Sequence, residues 1–157
     1  MSNIMCNKID VLSTNAYSIR LLDSMIRKWI TLAIKNDSDR MIEMLRHYPD
    51  LAKQIEPISG FTALHWAAKH GNLEMVKVLA RNGRVDVNQK SRGGYTALHL
   101  AQQYGHTNMV YQLVGQFGAE THLRDNYGNK PHQYAKKPKC HRLLFRNPSF
   151  SSSFNLY

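Results

Sequence analysis

Two apolar stripes stand out along the chain, Met75, Val76 and Leu79, then Met109, Val110 and Leu113. Their i, i+1, i+4 spacing predicts two helices, each with one apolar side to bury. Ahead of each stripe lies a shorter run, 62 to about 69 and 96 to about 104, opening on Thr and closing before Gly71 or Gly105. A Thr at the start caps free backbone N–H groups, and a glycine at the end permits a left-handed stop, so these runs predict short helices. Ala67, Ala68 and Ala101 keep them slim enough for close neighbours. Residues 1–18 show no sustained apolar period and are expected to form a flexible N-terminal extension.

The pattern repeats. Gly60-Phe61-Thr62-Ala63-Leu64-His65-Trp66-Ala67 recurs 34 residues later as Gly94-Tyr95-Thr96-Ala97-Leu98-His99-Leu100-Ala101. A worn copy follows at the same offset, Gly128-Asn129-Lys130-Pro131-His132-Gln133-Tyr134-Ala135. Moving back by one period sets Ile30, Ala33, Met41, Ile42 and Leu45 under Leu64, Ala67, Met75, Val76 and Leu79, a degenerate first copy. A period of this length suits tetratricopeptide or ankyrin units. Thr62-Ala63-Leu64-His65 and Thr96-Ala97-Leu98-His99 follow the Thr-Pro-Leu-His opening of ankyrin units, with Ala in place of Pro, and the tetratricopeptide Trp-Leu-Gly-Tyr pattern is absent.

The expected fold is therefore all-α: an ankyrin-repeat solenoid of about three and a half helix-turn-helix units with short hairpin-like fingers. The expected organisation is a repeat domain over 19–146, with units at about 26–59, 60–93, 94–127 and 128–146, and a flexible Ser/Phe tail over 147–157. Single units cannot bury their own apolar faces, so stability is expected to come from neighbours. In the last unit Pro138 is expected to stop the inner helix early, with a short capping helix over 140–145.

The chain is similar, more narrowly, to the sosondowah ankyrin-repeat family of animals. The resemblance is carried by Gly60 to Gly71, by Gly93-Gly94-Tyr95-Thr96-Ala97-Leu98-His99, by Arg124-Asp125-Asn126-Tyr127-Gly128-Asn129-Lys130 and by Gln133-Tyr134. It implies an intracellular, non-enzymatic interaction domain. Members often carry a long N-terminal region ahead of the repeats, so this chain is expected to be a short member, an isoform or a fragment.

Composition adds a charge bias. The 157 residues hold 21 Lys and Arg against 11 Asp and Glu, a formal charge of +10. Residues 1–59 are nearly balanced, so the excess falls on the remainder, and residues 130–157 contain no acidic residue. Acidic partners or polyanions are therefore attracted. Cys6 and Cys140 form no disulfide framework, and no secretory signal or transmembrane-length apolar stretch is visible. A monomeric intracellular protein is expected, cytoplasmic and, if Lys136, Lys137 and Lys139 act as an import cluster rather than a solvated basic end, nuclear as well.

Candidate chemistry is sparse. His65 and His99 sit in the repeat motif, where imidazole links the Thr hydroxyl to neighbouring backbone, and His70 and His106 stand at the inter-helix turns. Cys140-His141 lacks a second ligand pair for zinc. No nucleophile elbow, phosphate-binding loop or His-Glu-x-x-His helix occurs. Asn88 and the Arg146/Ser149 pair match hydroxylation and kinase patterns, but a turn asparagine and a serine-rich tail explain them as well. No catalytic residue, cofactor or metal is expected.

Geometry supplies the candidate surface. Fingertips and the exposed side of the inner helices line one concave face in an ankyrin stack, which nominates Lys69, His70, Lys90, Ser91, Arg92, Gln103, Tyr104, Arg124 and Asn126 for partner binding. The expected function is a non-catalytic scaffold holding an acidic or extended protein segment. Direct nucleic-acid or anionic-membrane binding by the basic C-terminal half is the alternative.

Overall fold

A computed structural model of the protein describes residues 6–81 and 85–135, with side chains from residue 20 onward. The expected capping helix, the Ser/Phe tail, Pro138, the Cys140-His141 pair, the Arg146/Ser149 pair and the Lys136, Lys137, Lys139 cluster lie outside the described residues. Among those described, the elements are α1 (Cys6–Lys35), α2 (Ser38–His47), α3 (Ala63–His70), α4 (Leu73–Arg81), α5 (Ala97–Tyr104) and α6 (Thr107–Gly115). Short 3-10 turns run over Pro49–Lys53 and Pro131–Tyr134. The described residues contain no strand, only an isolated antiparallel bridge between Ile55 and Thr62 at the base of the first finger.

The helices form two layers. In the inner layer α3 packs between the end of α1 and α5, and α5 packs on Pro131–Tyr134; in the outer layer α2 lies against α4, and each outer helix returns along its own inner partner. The two predicted stripes face inward: Met75, Val76, Leu79, Met109, Val110 and Leu113 are all buried. Leu64, Ala67, Ala68, Leu98, Leu100 and Ala101 meet them from the inner layer. The slim alanine faces are thus what lets α3 and α5 approach.

Both inner helices start and stop as the sequence predicts. Thr62 and His65, and Thr96 and His99, form reciprocal capping boxes, and Gly71 and Gly105 close the helices at φ 74° and 77°. Such positive φ values are open to glycine at little cost.

The first unit is also present. Trp29, Leu32 and Ala33 of α1 and Met41 and Leu45 of α2 are buried, whereas Ile30 and Ile42 are half-buried against that core. Asn36 turns the chain between them at φ 59°, a left-handed conformation that asparagine tolerates. The N-terminal extension differs from the expectation. Residues 6–18 are not loose but continue α1 as one helix of 30 residues. The physical reason is the absence of breakers: no Pro occurs before Pro49 and no Gly before Gly60, so a helix anchored by Trp29 and Ala33 has nothing to end it upstream.

Of the fourth unit, the residues up to Ala135 are described. Among them the inner segment is the single 3-10 turn Pro131–Tyr134, after which Ala135 is extended. Pro131 opens that turn where a free N–H would have no helical partner.

Candidate functional site

The fingers are joined to one another through their backbones. Arg92 N–H donates to Ser59 O at 3.0 Å, and Asn126 N–H donates to Gly93 O at 3.1 Å, so each tip hangs on the one before it. Side chains reinforce the row: Asn126 Nδ2 donates to Arg92 O at 2.7 Å, Lys90 Nζ to Arg124 O at 2.9 Å, and Arg124 Nη1 to Gly128 O at 2.5 Å. Lys90, Arg92, Arg124 and Asn126 are exposed, as the sequence predicts. Ser91 is not. It is buried inside its turn, where its Oγ accepts from Tyr95 N–H at 3.1 Å and its own N–H donates to Tyr95 O at 2.9 Å. Its place as a contact residue is corrected: counting from the glycine turn marks the tip, but cannot tell which tip side chain folds back.

A second cluster lies on the exposed side of the inner helices. Lys69 Nζ stands 4.7 Å from the Trp66 ring centroid and 5.8 Å from that of Tyr104, bridging two units. Tyr104 is 45% exposed and stacks on His106, whose Nε2 lies 3.0 Å from the Lys69 carbonyl. Gln103 is half-buried beside Tyr104 in sequence. His70 is exposed at one edge, but its Nε2 meets Ile34 O at 3.0 Å and ties α3 to the end of α1. Trp66 and His106 were legible only as motif and turn residues; Trp66 lies one helical turn before Lys69, which is the signal that could have nominated it.

The fold-specific histidines do structural work. Thr62 N–H and Oγ1 meet His65 Nδ1 at 3.2 and 2.9 Å, and Nε2 reaches Tyr95 O at 2.9 Å. A backbone N–H can only donate and a carbonyl only accept, so Nε2 carries the proton and the ring is neutral. Burial lowers the His65 pKa to about 4, against partial compensation from the carbonyl bonds. His99 repeats the arrangement with Thr96 and, at 3.2 Å, Asn129 O, and burial lowers its pKa too.

Anionic groups on this side are already occupied. Asp125 is buried; its Oδ1 accepts from Tyr127 and Asn129 N–H at 2.9 and 2.8 Å, and its Oδ2 accepts from Tyr134 OH. Burial would raise its pKa, but the Tyr134 and backbone donors outweigh it and the net shift is downward. Burial, followed by that bond to Asp125, pushes Tyr134 up to about 12. Glu56 accepts from Ile58 and Ser59 N–H at 2.8 and 2.7 Å and from the Ser59 hydroxyl, whose bond is the main reason its pKa is lowered. Among the described residues no carboxylate is within ion-pair distance of Lys69, Lys90, Arg92 or Arg124. Nor does any group of three His, Cys, Asp or Glu side chains there suit a metal ion, or any helix have the length and apolarity to cross a membrane.

Comparison with known proteins agrees with this architecture. The family model described as ankyrin repeats (3 copies) matches residues 29–125. The mouse ankyrin repeat domain-containing protein SOWAHC is 44% identical over 118 residues, which are 72% of this chain and 23% of that protein. Mouse SOWAHD is 38% identical over 69% of this chain and 35% of its own length. The chain thus spans about a quarter to a third of these curated relatives. Among solved structures, a chain in the crystal structure of the yeast ribosomal protein Rps3 in complex with its chaperone Yar1 superimposes with a TM-score of 0.66, at 25% identity, over 73% of this chain and 85% of that one. Repeated capping boxes, laddered fingers and this family match lead to one conclusion: the chain belongs to the ankyrin-repeat family, with sosondowah ankyrin-repeat proteins among its relatives.

Proposed function

We propose that the chain is a non-catalytic protein-interaction module whose concave side, formed by the fingertips and the exposed side of the inner helices, holds an acidic, extended segment of another protein. The observation that carries this reading is the set of cations Lys69, Lys90, Arg92 and Arg124, which have no carboxylate at ion-pair distance among the described residues, Arg92 acting on Glu56 only at longer range, while several of their neighbours are fixed by intramolecular bonds. A surface already ordered in this way loses little entropy on binding. Tyr104 supplies an exposed aromatic of the kind enriched at interfaces. The complex named for the structural neighbour pairs a chaperone with a protein, which supports a protein partner. On this reading the domain acts as a monomer inside the cell without a cofactor.

The test is calorimetric titration with a glutamate-rich peptide and its glutamine counterpart. Binding of the first alone is the expected result. Equal or absent binding of both overturns the acidic-segment reading. The basic balance after residue 59 favours one rival, direct attachment to nucleic acid or an anionic membrane. Affinity for an oligonucleotide or anionic vesicle that exceeds that for the peptide and falls steeply with salt would favour it.

A further inference from the structure

Two indole N–H groups, those of Trp29 and Trp66, are shut off from solvent and have no hydrogen-bond partner among the described residues. Leaving a buried donor unbonded is destabilising. The two tryptophans differ in what surrounds them. Trp29 is 1% exposed and belongs to the core between α1 and its neighbours, where no ligand arrives. Trp66 is half-buried on α3 and packs against that core, with the Lys69 ammonium, which has no ion-paired carboxylate among the described residues, over its ring.

We propose that Trp66 Nε1–H and Lys69 Nζ together form a subsite for one carboxylate of an Asp or Glu side chain. This rests on the acidic-segment reading above and assigns it an anchor. Indole nitrogen is a donor only, and an ammonium has three donors and no acceptor, so the pair presents donors alone. The rings on Lys69 hold the ammonium through their π faces without supplying an oxygen acceptor. A carboxylate, with two oxygens and no donor, is the complementary group.

The surroundings hold the indole ring and the Lys69 backbone in place. Phe61 meets the indole edge-on at 5.2 Å and His70 stacks on it at 6.1 Å, fixing the plane of the ring. His106 holds the Lys69 carbonyl and stacks on Tyr104, which fixes the second ring under the ammonium. On this proposal Lys69, which lies over the ring on a flexible stem, swings aside to open a way to the solvent-shielded Trp66 Nε1. Its ammonium then pairs with one oxygen while the indole N–H, uncovered, donates to the other.

The test uses the 15N-labelled chain, whose two tryptophans give two indole N–H resonances; Trp66→Phe assigns them. Hexaglutamate is expected to move the Trp66 resonance downfield, leave that of Trp29 in place and bind Lys69→Met at least about tenfold more weakly. Hexaglutamine is expected to leave both resonances unmoved. If hexaglutamate binds, as other resonances report, while the Trp66 indole stays fixed or Lys69→Met binds as tightly as the parent, the subsite is wrong and the acidic-segment reading survives. Failure of hexaglutamate to bind at all overturns both. Lys69→Met changes a residue at the protein surface, so its result does not depend on whether Trp66→Phe folds.

Discussion

His65 Nε2 and the carbonyl oxygen of Tyr95 lie 2.9 Å apart, joining the inner helix of one unit to the finger of the next. With Nδ1 held by Thr62, both ring nitrogens are committed to the neutral state. Protonating His65 would put a donor against the Thr62 N–H inside the core.

Stability should therefore fall on acidification. The His65 pKa drops from 6.5 to about 4 on folding. A depressed histidine binds fewer protons folded than unfolded, so its contribution is complete above the unfolded value and is lost as pH falls through this window. The loss amounts to roughly 3 kcal/mol. His99 acts in the same direction. Glu56 and Asp125, whose pKa values are lowered, extend the loss to lower pH as they protonate. Denaturant melts between pH 7 and pH 4 measure this; a stability independent of pH would contradict the neutral state assigned to the folded His65.

Leu98→Ala should cost roughly 2 to 5 kcal/mol, because Leu98 is only 1% exposed in the layer between α5 and its neighbours. Equilibrium urea unfolding gives the value. A midpoint equal to that of the parent would mean that the repeat motif does not face the core.

Gly94 and Gly105 share nearly the same φ, 78° and 77°, yet differ in surroundings. A Cβ on Gly94 would lie 2.6 Å from Asn126 N and 2.9 Å from Asp125 C, whereas on Gly105 it would meet nothing within 4 Å. Gly105→Ala should then cost about 1 to 2 kcal/mol for the left-handed backbone alone. Gly94→Ala should cost about 1 to 3 kcal/mol more, because the neighbouring finger has to shift. Thermal melts of the two variants, compared side by side, test the difference.

Tyr104→Ala and Arg92→Ala should weaken binding of the acidic peptide while leaving the melting temperature close to that of the parent, because both side chains are exposed. Ser91→Ala should do the reverse, lowering stability by about 1 kcal/mol through the lost bond to Tyr95 N–H. Unchanged peptide affinity in both surface variants would remove the finger and inner-helix placement of the partner.

The starts and stops of the inner helices and the buried stripes of the outer ones were legible because their signals are local. Thr62 and Thr96 cap, Gly71 and Gly105 stop, and Met75, Val76 and Leu79 space themselves as a helix must. What stayed hidden depends on long-range geometry. Ser91 reads as a polar tip residue until the turn folds its hydroxyl onto Tyr95. Residues 6–18 lack an apolar period, and their helix is inherited from the anchored end of α1 rather than encoded by a face of their own. The Trp66, Lys69 and Tyr104 contact joins two helices that only stacking brings together.

Six of the links between units share a chemical property with consequences for divergence, although Asn72 and Asn88 also reach side chains of the neighbouring unit. His65, His99, His70, His106, Lys90 and Asn126 each reach across to a peptide carbonyl rather than to a side chain. A carbonyl is the same whatever residue bears it. His65 is met by a tyrosine and His99 by an asparagine, and the bond survives the exchange. A neighbouring unit can therefore change its side-chain identities widely and still be gripped, so the worn fourth copy remains docked on α5 despite having lost the motif that built its predecessors.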